Sequence, residues 1–196
     1  MIIIGITGLI ASGKTSVATM FAAEGVPSFN ADDAVHELYS EKEILESLAK
    51  IVPDAVHDGM LDRKILSQIA HDHPEILLKL EELIHPMVRD KMKRFVQDNS
   101  AAGKNVVLLD VPLLYEGGLD KICNYVVCTK ASDSDIKERF LKRPNSNLEK
   151  LEIIIAKQKN YDKEKLADYI VDTSQDLSNT KHQVKKIVLE IKNKHA

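Results

Sequence analysis

A chain of 196 residues, 44% of them hydrophobic, can bury a substantial core, either as one domain with insertions or as a large and a small unit. Its 27 basic and 30 acidic residues leave a formal net charge of -3, which removes any general pull toward nucleic acid or an anionic membrane; an anionic ligand must be met by local clusters. The apolar start MIIIGIT has no basic leader and is broken by Gly5 and Gly8, so neither a signal peptide nor a membrane span is expected and the protein is placed in the cytoplasm.

In chain order, Ile2, Ile3, Ile4 and Ile6 predict a buried parallel strand. GLIASGKT, residues 8–15, follows at once and fits the P-loop pattern GxxxxGK[ST]. In that pattern successive backbone N–H groups form a nest around a β-phosphate, and a helix N-terminus lies beneath the anion. Gly8 and Gly13 supply backbone freedom, Lys14 a mobile charge for the β- and γ-oxygens, and Thr15 a hydroxyl for Mg²⁺. With Ala11, Ser12 and Ser16 they form the expected nucleotide-binding set, with ATP and Mg²⁺ as the expected cofactors. A helix over Thr15–Glu24 should turn Val17, Ala18, Met20 and Phe21 inward and stop at Gly25.

VPSFN (26–30) reads as the second strand, and FNAD carries its end to Asp32. In an open α/β sheet the carboxyl ends of the strands face the ligand crevice, so Asp32 has two readings: a base that accepts a proton from an incoming hydroxyl, or an N-cap for a helix beginning near Asp33. Residues 31–104 show several helical patterns and no convincing strand. Ser40-x-x-Glu43 reads as a capping box, Pro74 suits a first helical turn, and Leu77, Leu80, Leu83 and Ile84 share a helical face. A helical block there either holds an acceptor substrate or merely packs.

NVVLLD (105–110) is the third strand and ends in Asp110, the Walker B arrangement, which sets a carboxylate opposite Thr15 for Mg²⁺. YVVCT (125–129) and DYIVD (168–172) are the fourth and fifth strands. Cys123 and Cys128 lack a second ligand pair and read as reduced core residues. Alternating strands and helices predict an α/β fold with a five-stranded parallel sheet.

Eight segments then occur together in order: GLIASGKT, NADDAVHEL (30–38), GMLDR (59–63), LEELIHP (80–86), DVPLLYE (110–116), KERFLKR (137–143), AKQ (156–158) and ADYIVD (167–172). Over residues 2 to 175 the chain resembles dephospho-CoA kinase. The resemblance implies a P-loop NTPase core similar to nucleoside monophosphate kinases, a helical acceptor insertion over 33–100 and a helical lid over 133–165. It implies transfer of the γ-phosphoryl of ATP to the 3′-hydroxyl of the ribose of dephospho-CoA; another small-molecule P-loop kinase, with a nucleotide or sugar acceptor, is the alternative. Lys14 would hold the phosphates, Asp32 would be the base, and Leu61, Asp62, Arg63, His85 and Pro86 would shape the acceptor pocket. A histidine before proline at a helix end also serves a purely structural role. Arg139 and Arg143, spaced i and i+4 on one helix face, would reach the same phosphate or else lie on a solvated surface. A guanine-reading NKxD and a DxxG switch do not occur, which disfavours a GTPase.

Four positions depart from the family pattern. Asn30 replaces the first aspartate of the common DAD, and Ala11 replaces a loop glycine and should be tolerated if its φ is negative. Ile154 stands where many members carry an arginine, and Thr173 where an asparagine is usual, which leaves adenine or lid contacts there without their usual residue.

Overall fold

The computed structural model describes residues 1–144, 146–158 and 160–195, so positions 145 and 159 of the expected lid segment and position 196 lie outside the described residues. In chain order the elements are β1 (Ile2–Gly8), α1 (Lys14–Ala23), β2 (Ser28–Asn30), α2 (Ala31–Leu38), α3 (Lys42–Ile51), β3 (Val56–His57) and β4 (Met60–Leu61), then α4 (Arg63–Asp72), α5 (Pro74–Ala101), β5 (Val106–Asp110) and β6 (Tyr125–Lys130), and finally α6 (Asp133–Leu141), α7 (Leu148–Gln158), α8 (Lys163–Leu166), β7 (Tyr169–Asp172) and α9 (Leu177–Lys194). The chain divides into two compact units, one of residues Met1–Phe29 with Val96–Ala196 and one of Asn30–Phe95.

The first unit is built on a five-stranded sheet in the order β2-β5-β1-β6-β7. β1 pairs in parallel with β5 and with β6, and β6 with β7. The most apolar strand takes the centre, where both faces are covered and a continuous Ile run costs nothing in exposure. The connection after β1 leaves the sheet where strand order reverses, the position at which open α/β sheets bind ligands. On one face, Val17, Ala18 and Phe21 of α1 and Val184, Ile187, Val188 and Ile191 of α9 pack against Ile2, Ile4, Ile6, Leu108, Val127 and Val171. The spacing of the α9 residues is that of one helical stripe. Each large aliphatic side chain so buried contributes about 1.5–3 kcal/mol.

The second unit carries α2, α3, α4 and the first part of α5 around Leu38, Ile44, Leu48, Val52, Ala55, Leu66, Leu80 and Ile84. Three expectations are corrected here. The stretch does contain strands: β3 and β4 form a two-residue antiparallel hairpin. Asp58 and Gly59 both sit at positive φ, 52° and 72°, as a twisted two-residue hairpin turn requires. Ser40 does not open a capping box, because α3 starts at Lys42 after Glu41 and the Ser40 hydroxyl donates back to the His36 carbonyl. Pro86 lies inside α5, not at a helix end, so His85 is a mid-helix residue. Of the expected apolar face, Leu80 and Ile84 are buried and Leu83 partly so, while Leu77 is 38% exposed.

Candidate active site

The seven expected nucleotide-binding residues run from the end of β1 to the first turn of α1: Gly8 closes the strand, Ala11, Ser12 and Gly13 form the loop, and Lys14, Thr15 and Ser16 open the helix. Gly8 has φ 146° and packs so tightly on β6 that a Cβ there would stand 2.7 Å from the Thr129 carbonyl. Gly13 has φ 92°, with Thr173 against the place a Cβ would fill. Ala11 has φ 58°, so the condition set for its easy tolerance, a negative φ, is not met: an L-residue occupies the left-handed region that glycine adopts freely. Its methyl is buried beside Ile136, Phe140 and Leu151 of α6 and α7, in a cluster that Leu9, Ile10 and Ile154 join. Ile154 packs against this cluster as a partly buried side chain.

The Lys14 ammonium donates to the Gly8 and Leu9 carbonyls, each at 3.0 Å, which holds its charge at the start of the loop. Thr15 and Ser16 are exposed at the first turn of α1. Asp110 ends β5 opposite Ile6 of β1 and is buried. A threonine hydroxyl and an aspartate are hard oxygen donors of the kind Mg²⁺ takes alongside phosphate oxygens and water. Among the described residues no group of three or more His, Cys, Asp or Glu side chains forms a self-sufficient metal cluster.

Arg139, on the last turn of α6, donates from Nη1 to Thr173 Oγ1 at 3.0 Å and from Nη2 to the Thr173 carbonyl at 2.7 Å. Arg143 does not share that helix face. α6 ends at Leu141, and Arg143 lies exposed beyond it with its guanidinium 6.0 Å from the Phe140 ring centroid. The i,i+4 argument therefore fails at its second member, because the helix stops between them.

Within the second unit, Asp32, Arg63 and His85 come together along a trough of about 440 Å³, with His36, Tyr39 and Glu81 also on its walls. Its apolar floor includes Leu66 and Ile84. Burial raises the Tyr39 phenol, and the nearby Arg63 charge partly offsets that. Pro86 lines a neighbouring cavity with His85 and Arg89. Leu61 packs against the unit's core, and Asp62 is occupied as the N-cap of α4, accepting from the Lys64 and Ile65 amides at 2.8 and 3.1 Å. Asp32 is neither a strand-end residue nor a cap. It sits in the first turn of α2, and Asn30 is the cap, accepting from the Asp33 amide. Asn30 thus has a local use, since asparagine caps helices well.

Sequence reasoning missed three contributors. Gln158 accepts from the Ile10 amide at 2.8 Å, across 148 positions of chain. Thr173 Oγ1 lies 2.9 Å from the Ser12 carbonyl, to which it donates. Lys163 and Glu116 form an ion pair at 2.8 Å, with the lysine side chain only 5% exposed and the geometry bent away from a hydrogen bond. No local pattern marks these partners, which fold brings together from distant segments.

With the loop, the buried aspartate and the trough described, comparison with known proteins decides the family. The family model described as dephospho-CoA kinase matches residues 2–179. The chain belongs to the dephospho-CoA kinase family. The Bartonella quintana protein named dephospho-CoA kinase is 40% identical over 189 residues, covering 96% of this chain and 97% of that one. A solved structure from Thermus thermophilus superposes with a TM-score of 0.81 at 29% identity, covering 96% of each chain. The solved dephospho-CoA kinase from Campylobacter jejuni, at 23% identity, shares the fold with a TM-score of 0.68 over 96% of both chains. Family membership agrees with the α/β sheet and the loop at its reversal point. No helix among the described residues is long and apolar enough to cross a membrane.

Proposed function

We propose that this protein transfers the γ-phosphoryl group of ATP to the 3′-hydroxyl of the ribose of dephospho-CoA, giving coenzyme A and ADP, the last step of coenzyme A synthesis. The observation that carries the reading is the family match over residues 2–179, which spans both the P-loop and the trough. The amides of Ala11, Gly13, Lys14 and Thr15 and the Lys14 ammonium hold the phosphates, while the Ser12 amide closes the turn on the Leu9 carbonyl. Arg139 meets charge that develops on the transferred group. Asp32 takes the proton from the ribose hydroxyl as its oxygen bonds to phosphorus and the bond to ADP breaks. Thr15 and Asp110 are the side chains that would hold Mg²⁺, whose charge would offset that of the phosphate oxygens. Arg63, His85 and Pro86 shape the acceptor side, and Leu61 supports it from the unit's apolar core. Segment 133–165 acts as a lid that excludes water, with Arg143 on its exposed side. The substrates are small molecules, no nucleic acid or membrane takes part, and we place the reaction in the cytoplasm, where ATP is at hand.

The test is steady-state ADP release with a panel of acceptors. Dephospho-CoA should be preferred over nucleoside monophosphates and sugars by at least about 100-fold in kcat/KM, the scale at which a site rejects an acceptor it is not built to pair. Equal or better use of a nucleotide or a sugar would replace this reading with that of another small-molecule kinase.

A further inference from the structure

Ala11 raises a physical question that the assigned site residues do not answer. An alanine at φ 58° carries a steric cost that a glycine would not, and such a residue persists only where its surroundings over-determine it. The surroundings are specific. On one flank, the Ile10 amide donates to Gln158 Oε1 at 2.8 Å. Only the amide oxygen of Gln158 accepts from an N–H, so the side chain's orientation is settled by chemistry. On the other flank, the Ser12 carbonyl accepts from Thr173 Oγ1 at 2.9 Å, and the Ser12 hydroxyl donates to the Leu9 carbonyl at 2.7 Å. Between these clamps, Ala11 and Gly13 are at positive φ and Ser12 is not. Alternation of that kind builds an anion-receiving nest from backbone N–H groups, and here the Ser12 amide is left out of the set because it donates to the Leu9 carbonyl at 3.2 Å.

Gln158 is 93% buried by its 7% exposure, a rare state for a glutamine, and ends α7 beside a cavity of about 390 Å³ that Leu9, Thr129 and Ile136 also line. Burying that amide is costly unless its oxygen is used. Here it is used on the loop backbone. We propose that Gln158 is a positioning residue for ATP: through the Ile10 amide it holds the strained Ile10–Ala11 turn in its phosphate-receiving shape before the nucleotide arrives. A loop already ordered loses less conformational freedom on binding, so the contact serves nucleotide affinity and leaves the acceptor site alone. The proposal rests on the reading of the loop as the ATP cradle and does not depend on the identity of the acceptor.

The variant to make is Gln158→Met, which conserves the volume and removes the acceptor, beside Gln158→Ala, which removes both. Three readouts are needed: calorimetric titration with ATP, KM for ATP against KM for dephospho-CoA, and amide hydrogen exchange at Ile10. Gln158→Met should melt within a few degrees of wild type, lose protection at Ile10 while strand amides keep theirs, and bind ATP roughly 3- to 30-fold more weakly, the scale of one lost hydrogen bond and its ordering. KM for dephospho-CoA should stay within about two-fold, since Gln158 makes no contact in the proposed acceptor site. Wild-type ATP binding by Gln158→Met with weakened binding only by Gln158→Ala would mean that the residue merely fills space and would overturn the proposal. So would rapid exchange of the Ile10 amide in the wild-type protein, a measurement that needs no variant to fold. Failure of dephospho-CoA as acceptor would leave the titration and exchange results readable and would count against the proposed function alone.

Discussion

Arg139 holds Thr173 with two nitrogens at once, Nη1 on the hydroxyl and Nη2 on the carbonyl, and Thr173 passes that grip on to the P-loop through the Ser12 carbonyl. The cation proposed to meet developing charge is therefore tied to the loop that cradles the phosphates. Replacing Arg139 by Ala should lower turnover by about 10- to 1000-fold, within the range of one transition-state cation, with little change in dephospho-CoA affinity. If calorimetry instead shows acceptor affinity collapsing, Arg139 belongs to the acceptor site. Arg143→Ala, at an exposed position beyond the helix, should cost less than Arg139→Ala in the same assay.

Thr173→Val keeps the shape and removes the hydroxyl that joins Arg139 to Ser12. The buried Ser12 carbonyl then loses a partner, a loss of about 1–3 kcal/mol. In a chain of this size each kcal/mol lowers the melting temperature by about 2–4 °C. Calorimetric melting should therefore show a drop of several degrees, and an unchanged melting temperature would mean that the hydroxyl contributes nothing to the loop's support.

Lys14 supplies the charge at the start of the loop, where its ammonium rests on the Gly8 and Leu9 carbonyls. Lys14→Ala should reduce turnover at least roughly 10³-fold, because it deletes a charge that meets developing negative charge in a water-excluded site. Folded mutant protein turning over near the wild-type rate would remove the P-loop assignment.

Asp32 is free of any capping duty, which Asn30 performs. Asp32→Asn is nearly isosteric, so the variant should melt within a few degrees of wild type and bind both substrates. It should transfer phosphate at least about 100-fold more slowly if the carboxylate is the base. Turnover close to wild type would send the ribose proton to solvent or to another carboxylate.

Alkaline pH should destabilise the fold through three acids, Cys128 and Tyr115 buried and Cys123 half-buried. Burial pushes the Cys123 thiol up to about 12, the Cys128 thiol up to about 11 and the Tyr115 phenol up to about 12. Each group holds its proton more tightly folded than unfolded, so its contribution is fully present below its unfolded pKa, near 8.5 for cysteine and 10 for tyrosine, and is lost as pH rises toward the folded value. Urea midpoints measured from pH 8 to pH 11 should fall steadily, and a flat profile would contradict the burial of these groups.

Much of this molecule is local and was legible as such. Ile2 to Ile6, the GLIASGKT turn and the inward face of α1 follow from hydrophobic period and from the backbone demands of glycine, which act between near neighbours in the chain. Asp58-Gly59 was equally local and announces its hairpin by turn chemistry, although β3 and β4 are too short for periodicity to show. Other features depended on boundaries or on distance. Where α6 stops decides that Arg139 and Arg143 part company, and a helix end is set by competing packing that no i,i+4 count contains. Whether Asn30 or Asp32 caps α2 turns on a two-residue shift in the helix start. The sign of φ at Ala11 and the pairing of Ile10 with Gln158, Ser12 with Thr173 and Lys163 with Glu116 came only from the tertiary structure. These partners are separated by tens to more than a hundred residues, and hydrogen bonding across such distances leaves no period in the sequence; it exists once the sheet has brought the segments together.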